Sequence, residues 1–243
     1  MINIKRTQTI PASLDRPEIK QYIQELAAYL DDQQNRQKPK KPGSYRNSDI
    51  LEIFDSDFFA KCYLTEEKFP NSWVMEIDHF IPQNERPDLL YEWTNLFPIS
   101  HIANTLKPKK TPEGGYLNPC DNADDVEREI LYALFEFGKR PSFVAKNPDN
   151  LKAVNTAKLL DTLHNGHNDN TEKKTETLRH TIQKKFTDIM KTINKWQNAK
   201  ENSQEKFQIE KKLKLLLSRK SSFCMLCRSM PAVRHNLPQN FFD

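Results

Sequence analysis

The chain has 243 residues, of which 37% are hydrophobic and 29% are charged. This balance is typical of a soluble folded protein and excludes an intrinsically disordered chain. The formal net charge of +4 and the pI of about 8.7 produce only a weak positive field. Composition therefore permits nucleic acid as a partner without requiring it, and any polyanion-binding surface must come from local clusters of Lys and Arg.

No continuous apolar stretch has the length of a signal peptide or a membrane span, which predicts a cytoplasmic protein. The four cysteines are too few and too scattered for a disulfide framework, so we expect reduced thiols. Cys224 and Cys227 have the spacing of a zinc knuckle, and His235 is a candidate third ligand. Because no second pair of this kind completes the site, the sequence leaves structural zinc open.

The N-terminal part is predicted to contain two helices separated by a basic loop. Asp15 followed by Glu18 is a capping signal for an amphipathic helix. Lysines, prolines and a glycine in residues 33–45 predict an exposed loop, which is either simply solvated or in contact with phosphate. Ser48 then begins a second helix that extends toward Phe58.

A strand, a loop, a second strand and a short helix are predicted next. Apolar and polar residues alternate over 73–77, which is typical of a strand buried on one face, and this strand ends at Asp78-His79. The apolar run 96–99 contains a proline and predicts a second, short strand. Ser100 is a candidate N-cap for a short helix that stops near Pro108.

The remainder is predicted to be mainly helical. Residues 130–137 with 142–145 fit a hairpin, although 126–134 also fits a helix, and we favour the hairpin. Further helices are expected after residue 150, from Thr171 to Lys200, and around Leu213. The lysine-rich helix from Thr171 is interpreted as a solvated face over a core stripe, with a partner interface as the alternative.

Three side chains have the chemistry that phosphodiester hydrolysis needs. A base must take a proton from water, and a positive centre must absorb the charge that develops on the phosphate and the leaving oxygen. Mg²⁺ binds oxygen ligands and keeps several waters, so one carboxylate and one amide carbonyl are enough to hold it. His79 can supply the base, and Asp78 with Asn104 can supply the oxygens.

The types and the order of these residues resemble the HNH endonuclease family. The resemblance rests on the segments from Glu76 to Pro82, from Trp93 to Leu96 and from Asn104 to Lys107. An Asp-His pair alone would be weak evidence, but its occurrence with the other two segments at family-like spacing is specific. The resemblance implies a ββα-metal core.

The resemblance also implies a role for each matching residue. Asp78 and Asn104 are expected to ligate one divalent ion, Mg²⁺ or Mn²⁺, and His79 is expected to be the general base. Asn95 is expected to brace the loop between the strands, and Lys107 is expected to lie near the substrate phosphate.

Three other polar residues near Asn104, namely His101, Lys109 and Lys110, each have two interpretations. Lys109 and Lys110 extend the basic run, and we interpret them as substrate-binding because of their place beside the motif. The alternative is a solvated run at a helix end, where cations are favoured. His101 fits phosphate binding and the first turn of a helix equally well, so we leave it outside the site.

The sequence departs from the family pattern in one respect. Many HNH proteins hold a structural zinc with two Cys-x-x-Cys pairs, whereas Cys62 is followed here by Thr65, and Ser100 and Ala103 precede Asn104. We therefore expect that zinc to be absent. Packing of aromatic side chains should hold the motif together instead, and the candidates are Phe58, Tyr63, Trp73 and Trp93.

Sequence features around the motif are similar to PtuB, a family of HNH subunits in Septu anti-phage systems and beside some retrons. The similarity covers roughly residues 10–179, with Lys61-Cys62-Tyr63 before the motif and Leu117-Asn118-Pro119 after it. It implies an ABC-type ATPase partner, PtuA, and a retron reverse transcriptase with its RNA-DNA as a further candidate partner.

We thus expect an α+β fold, with a small ββα core in a mostly α-helical body. The expected segments are an N-terminal helix and loop (1–47), a nuclease core (48–115), a helical accessory region (116–220) and a tail (221–243). The expected activity is metal-dependent hydrolysis of phosphodiester bonds in DNA or in RNA such as tRNA. The alternative is a non-catalytic, nucleic-acid-binding scaffold subunit.

Overall fold

The computed structural model of the chain describes residues 1–134 and 140–243. They form an α+β structure with two small antiparallel sheets of two strands each. The first elements are helix α1 (Pro17–Asp31), helix α2 (Ser48–Asp57), strand β1 (Glu76–His79), strand β2 (Leu96–Ile99) and helix α3 (His101–Leu106). Then follow helix α4 (Val126–Glu129), strands β3 (Ile130–Ala133) and β4 (Ser142–Ala145), and helices α5 (Leu151–Asn165), α6 (Asp169–Lys174), α7 (Glu176–Asn198), α8 (Gln204–Leu217), α9 (Cys224–Ser229) and α10 (Pro231–Asn236). Within the described ranges, no helix has both the length and the apolar character needed to cross a membrane.

Strands β1 and β2 and helix α3 follow one another in the predicted order. The two strands pair antiparallel, with Glu76 opposite Ile99 and His79 opposite Leu96. Pro98 is tolerated in β2 because the sheet has only two strands, and its carbonyl oxygen accepts a hydrogen bond from the backbone N–H of Tyr63 at 2.9 Å. Helix α3 begins directly after β2 and packs on β1, so the end of β1 and the helix face each other.

The prediction that Trp73 lies on the buried face of β1 is wrong. Residues Ser72–Val74 form a 3-10 turn, and β1 begins only at Glu76. The side chain of Asn71 accepts a hydrogen bond from the backbone N–H of Trp73, which stabilises this turn. Because a turn does not continue the two-residue alternation of a strand, Trp73 points outward and is 75% exposed.

The other three aromatic candidates are buried around the β1–β2 unit: Phe58, Tyr63 and Trp93. A buried cation completes this cluster. The guanidinium carbon of Arg6 lies 4.3 Å from the ring centre of Trp93 and 4.5 Å from that of Phe97. Arg6 also donates to the carbonyl oxygens of Thr94 and Leu96. The N-terminal segment is therefore attached to the start of β2.

The preferred hairpin is confirmed for the described residues. Strand β3 pairs antiparallel with β4, with Ile130 opposite Ala145, and α4 is a single helical turn before it. Residues 135–137 of the predicted run, together with Gly138, lie outside the described residues. The helical alternative for 126–134 is correct only for its first four residues.

The single long helix predicted from Thr171 is in fact two helices, α6 and α7. Thr175 separates them, and its hydroxyl donates to the carbonyl oxygen of Glu172 at 3.0 Å. Arg179 donates to the same carbonyl at 2.9 Å. Because the side chains of Thr175 and Arg179 donate to the carbonyl oxygen of Glu172, the regular helical hydrogen bonding is interrupted there.

One cluster of buried apolar residues connects the sheets and the helices. It includes Met1, Phe54, Leu160 and Leu226, which belong to the four different segments expected from the sequence. These segments therefore share one core, and the expected boundaries between them stay predictions.

Candidate active site

The residues expected to carry the chemistry converge on one open cavity of about 510 Å³. Strand β1 contributes Asp78 and His79 at its end, α3 contributes Asn104, and Lys107 follows α3 directly. The antiparallel return of β2 brings α3 back over β1, which explains why residues 25 positions apart in sequence meet here. Lys109 also lines the cavity.

The ring of His79 is held by two partners on opposite sides. Its Nε2 lies 2.9 Å from the carbonyl oxygen of Leu90, and its Nδ1 lies 3.0 Å from the side-chain nitrogen of Gln83. A carbonyl oxygen can only accept, so Nε2 carries the proton and Nδ1 presents its lone pair. The ring of Tyr45 meets the imidazole edge to face at a centroid distance of 4.9 Å.

The environment of His79 favours a neutral imidazole. Burial is the main cause, and it lowers the pKa of His79 below its usual value of 6.5. The positive charges of Lys107 and Lys41 lower the pKa further, while the Leu90 carbonyl and Asp78 oppose these effects. A ring that is neutral at pH 7 can take a proton, so His79 is suited to be a base.

Asp78 is buried and receives two hydrogen bonds on the same oxygen. The hydroxyl of Tyr63 donates to Oδ2 at 2.6 Å, and the ammonium group of Lys107 donates to it at 2.5 Å. Burial first and Asp78 second raise the pKa of Tyr63 well above its usual value, so the phenol stays a donor. Oδ1 accepts no hydrogen bond from the described residues and is free for another ligand.

Lys107 lies inside the protein, with only 5% of the residue exposed. Besides Asp78, its ammonium group contacts the carbonyl oxygens of His79 at 2.8 Å and Phe80 at 3.2 Å. To contact a substrate phosphate as expected, the ammonium group of Lys107 would have to break its hydrogen bonds to these three oxygen atoms. Lys109 and Lys110, by contrast, are exposed.

Asn104 is oriented by an acidic side chain to which the sequence assigned no role. Its side-chain nitrogen donates to Glu76 at 2.8 Å, and the Nδ1 of His101 lies 2.7 Å from the other oxygen of Glu76. Burial alone would raise the pKa of Glu76, but the hydrogen bonds from Asn104 and His101 outweigh it and lower the pKa. An ionised Glu76 holds the amide nitrogen, so the amide oxygen of Asn104 is the atom that could ligate a cation.

Asn95 lies beside the site and fastens the loop between the strands. Its side-chain oxygen accepts from the backbone N–H of Ile81 at 2.8 Å, and its side-chain nitrogen donates to the carbonyls of Ile81 at 3.1 Å and Leu89 at 3.4 Å. The next carbonyl along the chain, that of Leu90, holds the His79 ring. These contacts are those of a brace.

The basic loop 33–45 folds onto the cavity, which the sequence did not predict. The hydroxyl of Tyr91 donates to the carbonyl of Gly43 at 2.6 Å, and Lys41 donates to the side-chain oxygen of Gln83 at 3.3 Å. Tyr45 and Gln83 thus join the site through contacts between distant parts of the chain. The only sequence signal was the local excess of lysine in the loop.

The oxygen atoms at the cavity fit one hard divalent ion. Among residues 1–134 and 140–243, no three or more His, Cys, Asp and Glu side chains are grouped as metal ligands. Asp78 and Asn104, the two ligands expected from the sequence, both line this cavity. Such a pair suits Mg²⁺ or Mn²⁺, which keep several of their waters when bound beside a phosphate.

The structure does not bring Cys224, Cys227 and His235 together as zinc ligands. Both thiols are fully buried in α9, whereas His235 lies exposed on α10. Burial raises the pKa of each thiol to about 12, which opposes the thiolate form that binds metal. The Cys-x-x-Cys spacing instead places two small apolar side chains on the core face of a short helix.

Comparisons with models of protein families, with curated proteins and with solved structures found no significant match to this chain.

Proposed function

We propose that the protein is a metal-dependent endonuclease of the HNH type. One observation carries the proposal: the unprotonated Nδ1 of His79 lies in the same cavity as the oxygen ligands Asp78 and Asn104. A base beside a site for a hard cation is the pairing that phosphodiester hydrolysis needs. The ββα order of the sequence resemblance adds to it.

His79 takes the proton from the attacking water through Nδ1. The water replaces Gln83 as the donor to this atom, since both compete for the same lone pair. The bond from Nε2 to the carbonyl of Leu90 keeps the ring oriented and stabilises the imidazolium that forms. Asn95 acts indirectly, because it holds the loop that carries this carbonyl.

Asp78 and Asn104 would hold the divalent ion. When bound, the ion supplies positive charge for the phosphate and the leaving oxygen. Tyr63 and Lys107 fix the carboxylate of Asp78 through Oδ2, and Glu76 fixes the amide of Asn104. Lys109, exposed at the rim of the cavity, is the lysine best placed to contact a phosphate of the substrate.

The chemistry of this site does not by itself distinguish DNA from RNA, because the nucleophile is water and not a ribose hydroxyl. A role in anti-phage defence, an ABC-type ATPase partner, a retron partner and a cytoplasmic location are proposals that rest on the sequence resemblance to the PtuB family. The competing proposal is a scaffold subunit that retains the ββα shape without catalysis.

The test is cleavage of plasmid DNA and total RNA by the purified protein in Mg²⁺, Mn²⁺ or EDTA, alone and with the candidate ATPase. We expect metal-dependent cutting that is lost in His79→Ala. The matched control is His235→Ala, which removes an exposed histidine of α10 and should leave cutting intact. If the folded wild type cuts neither substrate in any condition, the scaffold proposal replaces the nuclease.

A further inference from the structure

Trp73 has a large, solvent-exposed aromatic side chain and precedes Asp78 of the candidate active site by five residues. It is 75% exposed, and tryptophan is usually highly buried in folded proteins. Its backbone is nonetheless well anchored. The side chain of Asn71 accepts from its N–H at 3.0 Å, and the guanidinium of Arg46 donates to its carbonyl oxygen. The indole therefore projects from a fixed point.

That point lies close to the catalytic cavity along the chain. Trp73 precedes Glu76 by three residues and Asp78 by five. At about 3.3 Å per residue in an extended chain, the Cα atoms of Trp73 and Asp78 are at most roughly 17 Å apart. In B-form geometry, with about 3.4 Å per nucleotide along one strand, this span equals about five nucleotides or fewer.

Exposed cations lie both at the indole and at the cavity. Arg46 is exposed and bonded to the backbone of Trp73, and its charge also acts on Glu76. Lys41 lies at Gln83 on the same loop as Tyr45, and Lys109 lies at the cavity rim. Of the acidic residues nearby, Glu76 is paired with Asn104 and His101, and Asp55 accepts a hydrogen bond from the hydroxyl of Ser72.

We propose that Trp73 is a stacking platform for an unpaired base, so that the site takes single-stranded or locally unpaired nucleic acid. The inference rests on the proposed function in taking nucleic acid as the ligand of the cavity. Every base has a face that can stack on an indole, but in a duplex these faces are covered by neighbouring bases. A platform near the scissile phosphate therefore favours substrates whose bases are already free.

A protein partner is the other class of ligand for an exposed tryptophan. The nucleic acid is favoured because the indole lies five residues before Asp78 of the cavity, and because Arg46 at its backbone, Lys41 at Gln83 and Lys109 at the cavity are exposed cations. Exposed cations beside an aromatic face are the usual elements of a surface that binds single strands. Their charges complement a phosphate backbone.

The test measures binding separately from cleavage. Fluorescence anisotropy of labelled twelve-nucleotide single-stranded DNA, single-stranded RNA and duplex DNA is followed in EDTA, with His79→Ala as the parent protein. Stacking is worth about 1–3 kcal/mol per base, so Trp73→Ala should weaken single-strand binding by about 5- to 150-fold. Duplex binding should change less than about twofold, and Trp73→Phe should keep most of the affinity. The DNA and RNA arms show which single strand is preferred.

Phe207→Ala is the matched control, because Phe207 is an exposed aromatic residue of α8, with 64% exposure. It should leave all three affinities unchanged, and thermal melting should show that every variant is folded. Single-strand affinity that is unchanged in Trp73→Ala overturns the inference and assigns the indole to a protein contact. An equal loss for single strands and duplex overturns it as well.

The outcomes separate the two proposals. Absence of cutting by the wild type, together with Trp73-dependent binding of single strands, contradicts the nuclease and supports the platform. If metal-dependent cleavage of single-stranded and duplex substrates is equally fast in the wild type and in Trp73→Ala, the nuclease proposal is supported and the stacking platform is overturned.

Discussion

The ammonium group of Lys107 lies 2.5 Å from Oδ2 of Asp78, and both side chains are almost entirely buried. Burial lowers the pKa of Lys107, and the charge of Asp78 opposes this shift, so Asp78 supports the ionised form of Lys107. This pair connects the end of β1 to the end of α3. It therefore fixes the position of a short strand relative to a short helix.

Replacing Lys107 should destabilise the whole protein. Lys107→Met removes the cation and leaves the buried carboxylate of Asp78 with Tyr63 as its remaining donor, and breaking a buried pair in this way costs about 3–5 kcal/mol. The free energy of unfolding from urea titration measures the effect. Lys109→Met, at an exposed site, should change it by less than about 0.5 kcal/mol. Equal stabilities of the two variants would contradict the buried pairing.

Cleavage should depend on pH in the way that a neutral, buried base requires. Below the pKa of His79 the ring is protonated and Nδ1 has no lone pair to offer, so the rate rises as pH increases through that pKa. Because burial lowers this pKa below 6.5, the midpoint of the rise should lie below pH 6.5. Initial rates of single-turnover cleavage from pH 5 to 8 measure the profile. A midpoint above pH 6.5 would contradict a depressed pKa.

His164 should make stability depend on pH. It is buried in α5, its Nδ1 lies 2.7 Å from the carbonyl oxygen of Leu160, and burial lowers its pKa to about 4. The unfolded chain binds the proton near pH 6.5, whereas the folded chain binds it only near pH 4. The stabilisation is thus complete above pH 6.5 and is lost as pH falls through this window.

The size of this effect follows from the linkage between protonation and folding. Lowering the pKa of His164 from 6.5 to about 4 corresponds to roughly 3 kcal/mol in the free energy of unfolding. Urea titrations at pH 7 and pH 4.5 should show a larger loss for the wild type than for His164→Gln, which cannot titrate. Parallel losses in both proteins would show that other groups cause the acid sensitivity.

Asn95→Ala should reduce both stability and cleavage. The variant leaves one partly buried N–H and two carbonyls without their side-chain partner, which costs about 1–3 kcal/mol of stability. It also loosens the loop whose Leu90 carbonyl orients His79, so cleavage should fall even at temperatures where the variant is folded. Asn95→Asp keeps the acceptor for Ile81 but cannot donate, so it should not restore the rate. Wild-type cleavage by a folded Asn95→Ala would contradict the bracing role.

Local patterns in the sequence were enough to predict several elements. The end of β1 at His79, the short strand 96–99 and the helix after Ser100 all follow from periodicity, proline and capping, which act over a few residues. The hairpin of β3 and β4 follows from the same kind of pattern. The α+β class could therefore be predicted, and so could the sequence positions of the candidate site residues.

Patterns failed where side chains form hydrogen bonds that compete with the regular backbone pattern. Trp73 fits an alternating strand, but the 3-10 turn capped by Asn71 and bound by Arg46 places it outside. Thr175 fits a continuous helix, yet its hydroxyl and Arg179 take a carbonyl and end α6. Neither competing hydrogen bond has a signature in hydrophobic periodicity.

By itself, the sequence determined which residues are candidates for the site, because their types and spacing are chemical properties of the chain. Only the tertiary structure decided what each one contacts. It placed Lys107 on Asp78 instead of at the surface, brought the loop with Lys41 and Tyr45 over His79, and used Glu76 to orient Asn104. These pairings join residues 28 or more positions apart, and burial and charge, which depend on the whole fold, select among the partners available to each side chain.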